Sequence, residues 1–420
     1  MFENIIKDPR VRREIEAAKL KPILEALEAK LRSEGYSEAT VSFYDQAAVH
    51  FAYWAARRHV DPLQINEAHF ANFLSRHLST CRCPFGGVRQ EHIVRAALRH
   101  FEAALRSGDH VTSNREGNPT ALEIEIQRFD QYLREASGLQ EATRAYRRRY
   151  VREFLQAFFS DEAVYMSRLV PKDIVGYLSK RAALFKPASV KVLVSSLRSY
   201  FRFLRLHGEC AEALTLAVPS PASWRLASLP RVLTDAEVRC LLAVFDRATA
   251  AGRRDYAITR CLTDLGLRAE EVARLRLDDI NWRKAIVRIA GTKSRRDDLL
   301  PLTSLVGRAI ASYIRRGRPQ TTERRVFLRV RAPIGQSATR RTVCNVILRA
   351  AARAGLGAVV TGTRILRHTT ATRMLHHGAS IKEIADVLRH RSLDTTTIYT
   401  KVDLPHLALV AAPWPQEVKR

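Results

Sequence analysis

The sequence predicts a mainly α-helical protein with one small β-sheet in its C-terminal part. Three observations carry this expectation. Apolar residues recur at helical spacing through most of the 420 residues. The order of helical segments in the first hundred or so residues returns in the second hundred. Helical spacing gives way to strand-like alternation at residues 285–302, around a basic turn.

Residues 12–32 read as one helix, with Ile15, Ile23, Leu24, Leu27 and Leu31 along one side. After Gly35-Tyr36-Ser37 comes an aromatic helix with Phe43, Tyr44, Phe51 and Trp54, then segments at 70–76 and 97–101. Gly138-Leu139-Gln140-Glu141-Ala142-Thr143 stands 103 residues after its counterpart, the segment at 174–180 stands 104 after, and Ser196-Leu197-Arg198-Ser199-Tyr200 stands 99 after. Near-equal intervals imply one helical module present twice, at 1–112 and 120–217. Turn-forming residues at 113–119 separate the copies, and 218–223 forms a hinge before the last domain. Phe51, Phe73 and Phe201 fit a buried face. The neighbouring Arg144, Arg147, Arg148, Arg149, Arg198 and Arg202 are candidates for phosphate contacts, a solvated helix face being the alternative for each.

The last domain, 231–403, opens on the capping box Thr234-Asp235-Ala236-Glu237, with Val238, Leu241, Leu242 and Phe245 facing inward. An apolar segment at 256–265 ends at Gly266-Leu267-Arg268, placing Arg268 at a helix start, where N–H groups and a guanidinium together suit a phosphate. The alternating segment predicts a hairpin with Lys293, Arg295 and Arg296 at its tip. Further helices are expected at 340–354 and at 367–375, the latter ended by Gly378. Ser380-Ile381-Lys382-Glu383 is a second capping box, and Ser392 caps a last short helix presenting Tyr399. A tail of 404–420 follows.

Composition bounds the function independently. Seventy Lys+Arg against 43 Asp+Glu give a formal charge of +27, spread through every segment, which favours a nucleic-acid partner over a small acidic substrate. Six irregularly spaced cysteines argue against a disulfide framework and for a reducing cytoplasm. No signal peptide or membrane-spanning apolar run is evident, so no membrane partner is expected. Cys81-Arg82-Cys83, with His77 and His92 nearby, admits a zinc reading, but C-x-C without a second cysteine pair reads as ordinary loop cysteines, and no metal is expected.

Near the C-terminus, Arg364-Ile365-Leu366-Arg367-His368-Thr369, then Leu388-Arg389-His390-Arg391, then Thr397-Ile398-Tyr399-Thr400 place Arg367, His390 and Tyr399 at separations of 23 and 9 residues. This resembles the signature of the tyrosine recombinase, or phage integrase, family: H-x-x-R-H, then L-G-H, then T-x-x-Y. Gly266-Leu267-Arg268-Ala269-Glu270-Glu271 resembles the family's T-G-L-R-x-x-E, and Lys293, 25 residues after Arg268, matches its hairpin lysine. The resemblance implies tandem SAM-like core-binding modules followed by a tyrosine recombinase catalytic domain. It also implies site-specific DNA strand breakage and rejoining in a mobile element, without cofactors. Its partners would be double-stranded DNA and copies of itself in a synaptic tetramer, with or without related recombinases, in a bacterial cytoplasm at the nucleoid.

By the same resemblance Arg268 and Arg367 hold the scissile phosphate, Lys293 is the general acid, His390 assists and Tyr399 is the nucleophile. The chemistry suits these residue types. Guanidiniums bind the non-bridging oxygens more strongly as charge grows in the transition state, and a phenol can attack phosphorus in line. Arg364 stands where the family usually has a histidine proposed as general base, and arginine supplies charge but accepts no proton. His368 reads as structural. Alternatives are a non-catalytic accessory DNA-binding subunit and a metal-dependent transposase using pairs such as Asp278-Asp279 and Asp297-Asp298.

Overall fold

The computed structural model describes residues 6, 8–83, 88–107, 120–159, 164–209, 212–219, 230–290, 297–390, 392 and 395–402. The fold is mainly α-helical with one three-stranded sheet. It forms two compact units: residues 113–225, and residues 1–112 together with 226–420.

The single helix expected at 12–32 is two helices, α1 (Pro9–Ala17) and α2 (Lys21–Ser33). The apolar stripe crosses the break, but Pro22 can donate no hydrogen bond and its ring would collide with a preceding turn, and Lys19 takes a left-handed φ of 57°. Then come α3 (Glu38–Ala56), capped by the Ser37 hydroxyl, α4 (Glu67–Asn72), which runs into a π-helical turn at Phe73–His77, and α5 (Glu91–Ser107). Phe51, Phe73 and Phe101 are fully buried, and Phe51 meets the other two edge-on at centroid distances of 5.3 and 5.5 Å. Ile334 of the last domain donates its backbone N–H to the Glu34 carbonyl at 2.9 Å, so the first module and the last domain touch.

The second unit comprises α6 (Ala121–Glu135), α7 (Glu141–Phe158), α8 (Pro171–Leu184) and α9 (Pro187–Leu206), followed by the short α10 (Glu212–Leu216). Phe129, Phe154 and Phe201 fill its core, and the buried Tyr200 hydroxyl donates to Glu125 at 2.8 Å.

In the last domain, α11 (Asp235–Ala243) starts at the expected capping box, followed by α12 (Ala250–Asp264) and α13 (Ala269–Arg274). The predicted hairpin is β2 (Ile286–Ile289) paired antiparallel with β3 (Asp298–Pro301), and β1 (Ile280–Asn281) adds a third strand at the edge of β2. Val287 and Ile289 point into the core while Arg288 points out to Asp279 and Asp297. Asp278 pairs with Arg324, so three of the carboxylates considered for a metal-dependent mechanism are held in arginine ion pairs. The remaining elements are α14 (Ser304–Arg316), α15 (Arg340–Arg353), α16 (Arg364–His376), α17 (Ile381–Leu388) and a terminal 3-10 helix (Thr397–Val402). α16 begins one turn earlier than the spacing predicts, which brings Arg364 onto it. Among the described residues no helix is long and apolar enough to cross a membrane.

Candidate active site

The site is built where the end of α12 meets α16 and α17. Gly266 turns the chain with φ 58°, and a Cβ there would lie 2.7 Å from Leu388 Cδ2. Left-handed backbone and this close approach both call for glycine. Gly266→Ala is expected to lower stability by about 2 kcal/mol, read as an earlier urea midpoint with unchanged slope. The turn delivers Arg268 to the N-cap of α13, where its backbone N–H donates to Glu271 Oε2 at 2.8 Å and its Nη1 to Oε1 at 2.6 Å.

Arg367, on α16, is 8% exposed. Its Nη1 donates to the Gly266 carbonyl at 2.6 Å and its Nη2 to the Leu388 carbonyl, so neighbouring backbone fixes the guanidinium plane. Burial, with Arg268 and Arg389 nearby, pushes its pKa down to about 9, leaving it cationic at neutral pH. Arg389 stands where L-G-H has its glycine and takes a left-handed conformation, φ 54°, of the kind that favours glycine. Its buried guanidinium donates to Glu271 Oε2 at 2.7 Å and to the Val387 carbonyl at 2.7 Å. Burial alone would raise the Glu271 pKa, but Arg389 and Arg268 hold it below the ordinary value. A buried carboxylate thus anchors both arginines. Sequence reasoning passed over Glu271, although the glutamate of T-G-L-R-x-x-E was the signal for it, and Arg389.

Tyr399 lies on the terminal 3-10 helix, 2% exposed, against Ala371, Leu375, Ile384 and Leu388. Its hydroxyl is 3.0 Å from His368 Nδ1. Burial raises the phenol's pKa, opposed by the charges of Arg367, Arg364 and Arg268. The pKa of His368 is lowered to about 4 by burial, then by Arg364 and Arg367. His390 stacks parallel to the Tyr399 ring at 6.5 Å and its Nδ1 is 2.7 Å from Thr396 Oγ1. Burial and the same arginine cluster lower its pKa to about 4 as well. Arg364 is exposed, one helical turn before His368.

The structure therefore gathers Arg268, Arg364, Arg367, His390 and Tyr399. It adds His368, which the sequence reading set aside as structural and which is the side chain hydrogen-bonded to the Tyr399 hydroxyl. Lys293, Arg295 and Arg296 lie outside the described residues. The foot of their hairpin is near the site, because the charge of Asp298 acts on Arg389.

The arginines proposed to touch DNA from the second unit differ in their present engagements. Arg148 pairs with Asp130 and Glu141, both at 2.6 Å, and Arg144 pairs with Glu141. Arg147 donates to the Ser199 hydroxyl at 2.7 Å, Arg198 to the Val218 carbonyl at 3.2 Å, and Arg202 is exposed.

Residues 231–406 match the model of the phage integrase family, and residues 126–208 match the phage integrase N-terminal SAM-like domain. The protein named integrase/recombinase y4rA of Sinorhizobium fredii is 36% identical over 391 residues, covering 93% of this chain and 93% of its own length. Tyrosine recombinase XerD of Xanthomonas axonopodis is 31% identical over 230 residues, 53% of this chain and 74% of XerD. Among solved structures, XerH recombinase bound to palindromic difH substrate superposes with a TM-score of 0.56 at 16% identity, covering 72% of this chain and 99% of that one. The chain belongs to the phage integrase family of tyrosine recombinases.

Proposed function

We propose that this protein is a site-specific recombinase of a bacterial mobile element. It cuts and rejoins duplex DNA through a 3′-phosphotyrosyl bond to Tyr399, leaving a free 5′-hydroxyl. One observation carries the reading: the Tyr399 hydroxyl lies 3.0 Å from His368 Nδ1, within reach of the charges of Arg367, Arg364 and Arg268. Arg268 and Arg389 share the buried carboxylate of Glu271, whose charge also acts on Arg367, and a phosphodiester supplies further negative charge to the cluster. Arg268 and Arg367 bind its non-bridging oxygens, Arg364 contributes charge in place of the usual histidine, and His390 donates a further hydrogen bond.

Arg364 cannot take the phenolic proton, and His368 can. With its pKa near 4 the imidazole is neutral at physiological pH, so its Nδ1 accepts the proton as the tyrosine oxygen attacks phosphorus. His368→Asn is expected to slow cleavage about a hundredfold with duplex affinity unchanged. The acid limb of the second-order cleavage rate, which reports the free enzyme, falls near pH 4 because activity needs the unprotonated ring. A limb near the ordinary histidine value of about 6.5 would contradict the assignment.

Lys293 protonates the departing 5′-oxygen. Lys293→Ala is expected to lose cleavage of ordinary DNA by about three orders of magnitude and to regain it on a duplex with sulfur at the 5′-bridging position, because a thiolate leaves without a proton. The same defect on both duplexes would remove lysine from this role.

XerH was solved on its DNA substrate, and the +27 charge of this chain suits the same partner. Exchange between two duplexes breaks four strands, so one tyrosine per protomer calls for four protomers. The protein should form a denaturation-resistant adduct with nicked duplexes from its element's ends in the presence of a chelator. Adducts that require Mg²⁺ would point instead to metal-dependent chemistry.

A further inference from the structure

The first module holds a cluster that DNA cleavage does not use. His50 and His77 approach through their Nε2 atoms at 3.2 Å, and Cys83 Sγ is 3.4 Å from the same His77 nitrogen. Cys81 completes the group, the four ligand atoms all lying within 4.8 Å of one another. Among the described residues this is the group placed to hold a metal ion, and its fourth member is His50 from α3, not His92. The sequence signal was weak because His50 is 27 residues from His77 and only the fold joins them.

Local structure explains the convergence. Helix α4 widens at Phe73–His77 into a π turn, closed by Leu78 N–H donating to the Phe73 carbonyl at 2.9 Å. Such single-turn insertions re-aim side chains and recur at functional sites. Here the turn stacks His77 on Phe73 at 5.2 Å, and Phe73 in turn meets His50 edge-on at 5.0 Å. One side of the cluster is therefore an aromatic wall, and Cys81 is buried.

Hydrogen bonding accounts poorly for this geometry. His77 Nε2 faces both His50 Nε2 and Cys83 Sγ, yet a neutral imidazole nitrogen has either one proton or one lone pair to offer. A cation among the four atoms uses every lone pair at once. The His50–His77 and His77–Cys83 spacings also fit: tetrahedral zinc with Zn–N about 2.05 Å and Zn–S about 2.3 Å sets N···N near 3.3 Å and N···S near 3.6 Å. Two thiolates would neutralise a divalent ion, which suits a half-buried site with arginines nearby.

We propose that His50, His77, Cys81 and Cys83 form a structural zinc site that ties α3 to the π turn and the loop after it. Four protein ligands close the coordination sphere, so the ion stabilises the module and takes no part in catalysis.

The test uses the full chain, produced with zinc supplementation and without a polyhistidine tag, and measured after gel filtration. The expected result is about one zinc per chain. Exchange with Co²⁺ should give tetrahedral ligand-field bands and thiolate-to-cobalt charge transfer. Cys81→Ser and Cys83→Ser should lose the metal, Cys240→Ser should keep it, and Cys83→His should keep the ion with about half the charge-transfer intensity. Folded wild-type protein that retains no zinc and gives no charge-transfer band overturns the proposal, whether or not the variants fold. So does a spectrum unchanged in both serine variants.

Discussion

Tyr399→Phe is expected to abolish the covalent DNA adduct and all strand exchange while the protein still folds and binds duplex DNA. The substitution removes one oxygen, whose hydrogen-bond partner is His368, from a ring that stays packed against Leu375, Ile384 and Leu388. Losing one such bond costs about 1 kcal/mol, too little to unfold the domain. Losing the nucleophile removes the reaction path, and the rate should fall by at least about 10⁴-fold. Denaturing gels with nicked duplexes measure the adduct, and gel shifts under native conditions measure binding. A variant that still forms adduct would move the nucleophile elsewhere.

Arg367→Lys should produce the next largest defect, a cleavage rate lower by about 10³-fold with duplex affinity within about threefold. The reason is geometric. Arg367 bridges the Gly266 and Leu388 carbonyls through two different nitrogens, and that bridge sets the plane in which its remaining N–H groups face the phosphate. A lysine reaches one of these carbonyls as a point charge and cannot hold both or present a planar pair of donors. Single-turnover cleavage with saturating protein separates the chemical step from binding. A variant that cleaves at nearly the wild-type rate would show that charge alone suffices there.

Much of the fold was legible because its signals are local. The capping boxes at Thr234 and Ser380 mark the starts of α11 and α17 as the sequence predicts, and the alternation at 285–302 became the β2–β3 hairpin. The break between α1 and α2 was hidden because apolar spacing runs straight across it, and Pro22 was the residue to weigh against that pattern. The site was half legible. Arg268, Arg367, His390 and Tyr399 are marked by the resemblance of their motifs to the family signature, but a signature does not say which side chain meets the tyrosine hydroxyl. His368 does so because residues 368 and 399 pack across 31 positions of chain. Arg389 pairs with Glu271 across 118 positions, and nothing local announces that an arginine will adopt a glycine's left-handed backbone. Of the four side chains of the proposed metal site, His77, Cys81 and Cys83 lie close together in sequence, and His50 stayed obscure for the same reason.

The most direct test of the account is to map the bond itself. Wild-type protein would be incubated with a nicked suicide duplex and chelator, the adduct digested with protease and nuclease, and the nucleotide-bearing peptide sequenced by mass spectrometry. The account predicts one modified peptide, carrying a 3′-phosphonucleotide on Tyr399, and a released strand with a 5′-hydroxyl. A modification on another residue, a 5′-phosphate linkage, or cleaved DNA with no protein attached would contradict it.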